Sequence, residues 1–213
     1  MIHLPVFNNT EDGDHPSPMD PPALYAPPTV EQVPLDQMAV PLQQLIADHQ
    51  EFLKVLHAFD SALIKLKERA WKFTPEISAA MKKFFQFMDR EIPLHTKKEE
   101  RGLFPILHEK FLESGEHSPG ANPRTPVDIM ESDHEHLHTM ASLVFNLMGL
   151  APRLRDAESR NIVFEHAFDQ GQEIVETMKL HIYKEDATLF QLAQKLLSDE
   201  EMKKVEEKFQ MLD

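Results

Sequence analysis

Residues 91–107 read EIPLHTKKEERGLFPIL, and the pair His95 and Glu99 within them decides the fold. A histidine and a carboxylate four residues apart sit one above the other on a single helix face. The pair returns as His181 and Glu185 in LHIYKEDATLF. Two further segments, ADHQEFLKVL and SDHEHLHTM, place His49 and His134 directly behind an aspartate. With 12 histidines in 213 residues, about one HxxxE pair is expected by chance, so spacing alone decides nothing. The stronger signal is that all four segments put these groups on the apolar stripe of an amphipathic helix.

Outward from residues 91–107, the periodicity predicts helices on either side. Leu42, Leu45, Ile46, His49, Phe52, Leu53, Leu56 and Leu63 follow helical spacing up to about Arg69. Thr74 and Pro75 give the cap-then-proline start of a second helix. Its stripe runs Ile77, Met81, Phe84, Met88, Ile92, His95, Glu99, Leu103, Ile106. Pro93 removes one backbone hydrogen bond, which predicts a kink just before His95. Residues 113–124, ESGEHSPGANPR, read as a loop. Thr125-Pro126 repeats the start signal for a third stripe: Met130, His134, Leu137, His138, Ala141, Val144 and Met148. A fourth helix opens around residues 156–159 and carries Ala167, Gly171, Ile174, Met178, His181, Glu185, Leu189, Leu192 and Leu196. Ser198 and Glu201 form a capping box for a short fifth helix to about Met211. No stretch alternates with period two. The expected fold is all-α: an antiparallel up-down-up-down four-helix bundle over 36–213, with a Pro-rich irregular arm over 1–35. The order of a DH helix followed by an HxxxE helix occurs twice, which supports an approximate twofold relation between the halves.

The net charge is −14 and no Lys/Arg run is present, which argues against nucleic acid and anionic membrane as partners. No apolar run reaches the roughly 18–20 residues of a membrane span, and the N-terminal segment lacks the form of a signal peptide. A reducing cytoplasm is the default location. With no cysteine, thiolate sites and disulfides are excluded, and a metal has to be held by His, Asp and Glu.

Inward-facing glutamates need a compensating cation, because a buried unpaired charge costs several kcal/mol. His49, His95, His134, His138, His181, Glu99 and Glu185 make seven candidate ligands. Seven are too many for one ion and too few for two closed octahedra. If both glutamates and a hydroxide bridge two ions, the ion held by His134, His138 and His181 has six ligands. The ion held by His49 and His95 then has five and keeps one position for a small molecule. Six-coordinate N/O sites suit iron or manganese better than tetrahedral zinc. His57, His108, His117, His136 and His166 read as solvated. Glu100, Asp186, Asp48 and Asp133 read as outer or surface groups, and Phe52, Met81, Phe84, Met88, Met130 and Met178 as core.

The segments DHQEF, HTKKEERGLFP, DHEHLH and HIYKEDATLF resemble the four helices of the hemerythrin-like (HHE cation-binding) family, over about residues 40–197. The resemblance implies a four-helix bundle with a non-haem di-iron centre. His49 and His95 match its two-histidine iron, His134, His138 and His181 its three-histidine iron, and Glu99 and Glu185 its bridging carboxylates. In the oxygen carriers of the family the last bridge is an aspartate five residues after its histidine; here Glu185 stands at four, closer to the bacterial and sensory branches. The resemblance implies a protein that binds or senses O2, NO or iron, alone, as a homo-oligomer or with a signalling partner. The alternative is a di-iron enzyme such as a ferroxidase or a peroxide- or NO-reducing protein.

Overall fold

The computed structural model describes residues 30–212, and no strand occurs among them. The helices are α1 (Val40–Glu68), α2 (Pro75–Lys98), α3 (Phe104–Ser114), α4 (Pro126–Leu150), α5 (Ala157–Lys184), α6 (Phe190–Leu196) and α7 (Asp199–Leu212). A π-helical turn, Glu99–Leu103, joins α2 to α3, and a second, Glu185–Leu189, joins α5 to α6. The all-helical content agrees with a hemerythrin-like helical bundle. Residues 1–29 of the expected arm lie outside the described residues.

The start signals read from the sequence act as caps. The Ile77 amide donates to Thr74 Oγ1 at 3.3 Å. At α4 the Thr125 amide donates to Asp128 Oδ2 at 2.7 Å, and at α5 the Ser159 amide donates to Asp156 Oδ2 at 2.7 Å. The loop after α3 opens on Gly115 at φ 82, a left-handed position that glycine takes without steric cost. The Glu116 amide closes the turn on the Phe111 carbonyl at 2.9 Å.

A change of helical pattern follows the proline in α2. Pro93 lies within α2, and the helical hydrogen-bond pattern changes six residues later, at Glu99. A π turn inserts one extra residue and so rotates the following helix by about 100°. After the first turn the stripe shifts accordingly: Ile106, expected in the core, is only partly buried, while Leu107 is buried. After the second, Leu189 and Leu192 are buried as expected and Leu196 is partly buried.

Contacts divide the described residues into two compact units, and each boundary falls inside a helix. The first unit comprises residues 30–47, 94–132 and 180–212. Its core gathers Leu42, Leu45, Phe104, Phe111, Phe190 and Phe209, all almost fully buried. The helix α7 is fixed here by its capping box: the Ser198 amide and hydroxyl donate to Glu201 Oε2 at 2.9 and 3.0 Å. Lys110 of α3 pairs with Glu201 at 2.9 Å.

The Ser198 amide, first, and Lys110 beside it hold the Glu201 carboxyl down to about 2, against an ordinary 4.5. A depressed carboxylate contributes stability that is fully present above the unfolded value and is lost as pH falls through the folded one. The cap's contribution is therefore expected to fade between about pH 4.5 and 2. Denaturant midpoints followed against pH check this: Glu201→Gln should flatten that part of the profile. Ser198→Ala should cost about 1 kcal/mol at neutral pH.

The second unit comprises residues 48–93 and 133–179 and is packed by aromatic rings. Phe59 stacks on Phe84 with centroids 3.7 Å apart, and Phe52 meets Phe87 edge-on at 4.7 Å. In the turn between α1 and α2, Ala70 and Trp71 take positive φ of 49 and 63, a conformation disfavoured for residues with a Cβ. Trp71 is held there by stacking on Phe164 at 5.4 Å and by an edge contact to Phe168. All six Met and Phe positions read as core are buried.

Candidate metal centre

Each HxxxE pair sits where an α-helix passes into a π turn. His95 is three residues from the end of α2, and Glu99 is the first residue of the turn that follows. His181 and Glu185 stand in the same relation at the end of α5. In both turns the hydrogen bond steps from i+4 to i+5 at the glutamate itself: the Phe104 amide donates to the Glu99 carbonyl, and the Phe190 amide to the Glu185 carbonyl. Such π turns occur most often at functional positions, where they aim a side chain that regular helix would place elsewhere.

The two pairs have matching geometry. His95 Nε2 lies 3.3 Å from Glu99 Oε1, and His181 Nε2 lies 3.3 Å from Glu185 Oε2. Both glutamates are 0% exposed, with their carboxylate oxygens shut off from solvent. His49, His95 and His181 are buried as well, at 5% exposure or less, and His134 is half-buried.

These side chains fall into two groups able to hold a metal ion. His49, His95, Glu99 and Glu185 each offer a ligand atom within 4.8 Å of the others, and so do His134, His181 and Glu185. Glu185 belongs to both. A buried set of imidazole nitrogens and carboxylate oxygens without sulfur fits a divalent ion of the iron or manganese type. Taking two glutamates out of water without a cation would be costly.

Of the seven residues expected to act together, six meet in these groups and His138 does not. His138 is exposed and lines a cavity of about 630 Å³, together with Phe85, Met88, Pro93, Ala141 and Phe145. On α4 the buried face follows Leu137, Met140, Ala141 and Val144, which places His138 at its edge.

The remaining polar residues mostly stand as expected. His57, His136 and His166 are exposed, and Asp48, Asp133, Glu100 and Asp186 are half-buried beside the candidate ligands. His108 departs from the solvated reading. It is half-buried, with Nδ1 2.9 Å from the Thr125 hydroxyl and 3.5 Å from Asp128, so it joins α3 to the cap of α4. The π turns and the glutamines that contact the second of them, described below, were not anticipated. Gly102 followed by Pro105 was the one local sign of a helix interruption near Glu99.

No curated protein matches the chain significantly. A sequence model described as the hemerythrin HHE cation binding domain matches residues 40–193. That span covers well over half of the chain and contains every residue of both His/Glu groups. The chain belongs to the hemerythrin HHE cation-binding family.

Proposed function

We propose that the protein holds two non-haem iron ions, through His49, His95, Glu99, His134, His181 and Glu185, and that it binds or senses a small gas such as O2 or NO. The observation that carries this reading is Glu185, fully buried and shared by both His/Glu groups. A carboxylate with two oxygens within reach of two sets of imidazoles is suited to bridging a pair of ions. His138, one turn after His134 on α4, is carried as the seventh ligand, on the ion of His134 and His181. Residues 36–213 are taken to act as one domain of up-down-up-down order.

Bound iron would supply a redox-active centre with affinity for diatomic gases. The chain's own residues would shape access to it. Phe52, three residues after His49, and Met88, two turns before His95, are buried. The cavity beside His138 has an apolar side formed by Phe85, Met88, Pro93, Ala141 and Phe145, and Lys82 and Asp89 also line it. Its apolar side offers a surface on which a small nonpolar molecule can rest.

Anaerobic loading with Fe(II) tests the reading. Two irons per chain are expected, with a visible band that appears when O2 is admitted and fades when O2 is removed. Irreversible oxidation with steady consumption of O2 or peroxide would replace this reading with the enzyme. One iron or none would overturn the two-ion site. His138→Ala should lower the iron count or the affinity for the second ion, and an unchanged count and affinity would remove His138 from the ligand set.

A further inference from the structure

Both π turns are held by parts of the chain that lie outside the family match. The second turn, Glu185–Leu189, is held by the segment that leads into α1. Gln32 Nε2 donates to the Ala187 carbonyl at 3.0 Å, inside the turn itself. Gln191 is buried and bridges the same two elements. Its Nε2 donates to the Asp186 carbonyl at 3.2 Å, while its Oε1 accepts from the Val33 amide at 2.8 Å. Farther along, the Ala39 amide donates to Gln194 Oε1 at 2.7 Å. Shifting from i+4 to i+5 bonding disturbs the carbonyl ladder of a helix, and here two carbonyls of the turn accept side-chain amides instead.

The first turn, Glu99–Leu103, is held by α7. A Cβ placed on Gly102 would stand 2.5 Å from Phe209 Cε1, so the ring of Phe209 lies directly against the glycine backbone. Lys98, which immediately precedes Glu99, has its Nζ 6.0 Å from the centre of the same ring. Phe209 is itself almost fully buried. The absence of a side chain at Gly102 is what allows this approach.

We propose that these two flanking elements, residues 30–39 and α7, are positioning devices for the metal centre. Gln32 and Gln191 hold the turn that aims Glu185, and Phe209 holds the turn that aims Glu99. The inference rests on the metal-binding reading above for its purpose, but its physical content, two π turns fixed from outside, does not depend on it. Residues that orient metal ligands without touching the ion commonly change affinity by 10–100-fold when altered.

The test compares Gln32→Leu, Gln191→Met and Phe209→Leu with the wild type in two measurements. One is amide hydrogen exchange of the metal-free protein at Phe190 and Phe104, whose amides close the two turns. The other is the rate at which bound Fe(II) is lost to a chelator. Faster exchange is expected at Phe190 in the two glutamine variants and at Phe104 in Phe209→Leu. Each should also release iron about tenfold faster. Phe59→Leu, in the other unit, controls for a general loss of stability and should leave exchange at Phe104 and Phe190 unchanged. Gln32 is exposed, so its variant keeps the fold even where a buried substitution does not. Wild-type exchange and release in Gln32→Leu would overturn the assignment of Gln32 and, if Phe209→Leu also matches wild type, the proposal as a whole. Faster exchange in the variants of a protein that binds no iron would uphold the positioning of the turns and refute the metal reading.

Discussion

Glu185→Ala is expected to weaken metal binding at both His/Glu groups, whereas Glu99→Ala is expected to weaken it at one. Glu185 is the one side chain common to both His/Glu groups, so its removal takes a carboxylate from each. Removing Glu99 leaves His134, His181 and Glu185 together. Thermal unfolding with and without metal shows the difference. A ligand that binds only the folded state, at a free concentration of 100 times its Kd, stabilises by about 2.7 kcal/mol. For a chain of this length that corresponds to roughly 5–10 °C in Tm. The wild type should show an increment of that size, Glu99→Ala a smaller one, and Glu185→Ala the smallest. The metal-free Tm of each variant serves as its own baseline, because Glu185→Ala also removes the partner of His181. A full metal increment in Glu185→Ala would remove the shared carboxylate from the site.

The second large effect concerns folding rather than metal. Phe59→Ala is expected to cost about 3–5 kcal/mol. Phe59 is 0% exposed and stacks on Phe84, and Phe85 approaches its edge at 6.1 Å between centroids. Truncation would lose the transfer energy of the ring and leave a cavity that neighbours on α1 and α2 cannot fill without leaving their rotamers. Phe59→Leu should cost less, because most of the volume is kept. Calorimetry and denaturant titration measure both. A loss under 1 kcal/mol for the alanine variant would mean that the site collapses around the missing ring. Iron stoichiometry should be unchanged in any variant that remains folded, since Phe59 belongs to neither His/Glu group.

The features most legible in the sequence were those with local causes. Thr74, Thr125, Asp156 and Ser198 each begin a helix because a side-chain oxygen accepts an amide that the helix cannot satisfy, and that rule needs only a few neighbouring residues. The site residues were legible because an HxxxE spacing on an apolar stripe must bring both groups to one buried face. That logic covers His95, Glu99, His181 and Glu185; His49 and His134, which lie near them, were read from their places on the apolar stripes of their own helices. His138 shows its limit: Leu137 and His138 both border the α4 stripe, and only packing against other helices selects Leu137 for the interior. The π turns were illegible for a similar reason. One inserted residue leaves the pattern of apolar residues nearly intact and moves its register, so Leu107 replaces Ile106 in the core with no change in composition. The long-range bonds from Gln32 and Gln191 join residues more than 150 positions apart and leave no mark on local spacing.

The chain has a single tryptophan, and it sits in the α1–α2 turn, stacked on Phe164 in the unit that contains neither Glu99 nor Glu185. Its fluorescence therefore reports on the surroundings of Trp71, while absorbance from a loaded centre reports on the candidate ligands. If the two signals change together on heating, metal loss and unfolding around Trp71 are one cooperative event. If the tryptophan signal changes at a different temperature, metal is lost in a step separate from the unfolding of the chain around Trp71, and release becomes possible from a protein that is still folded there.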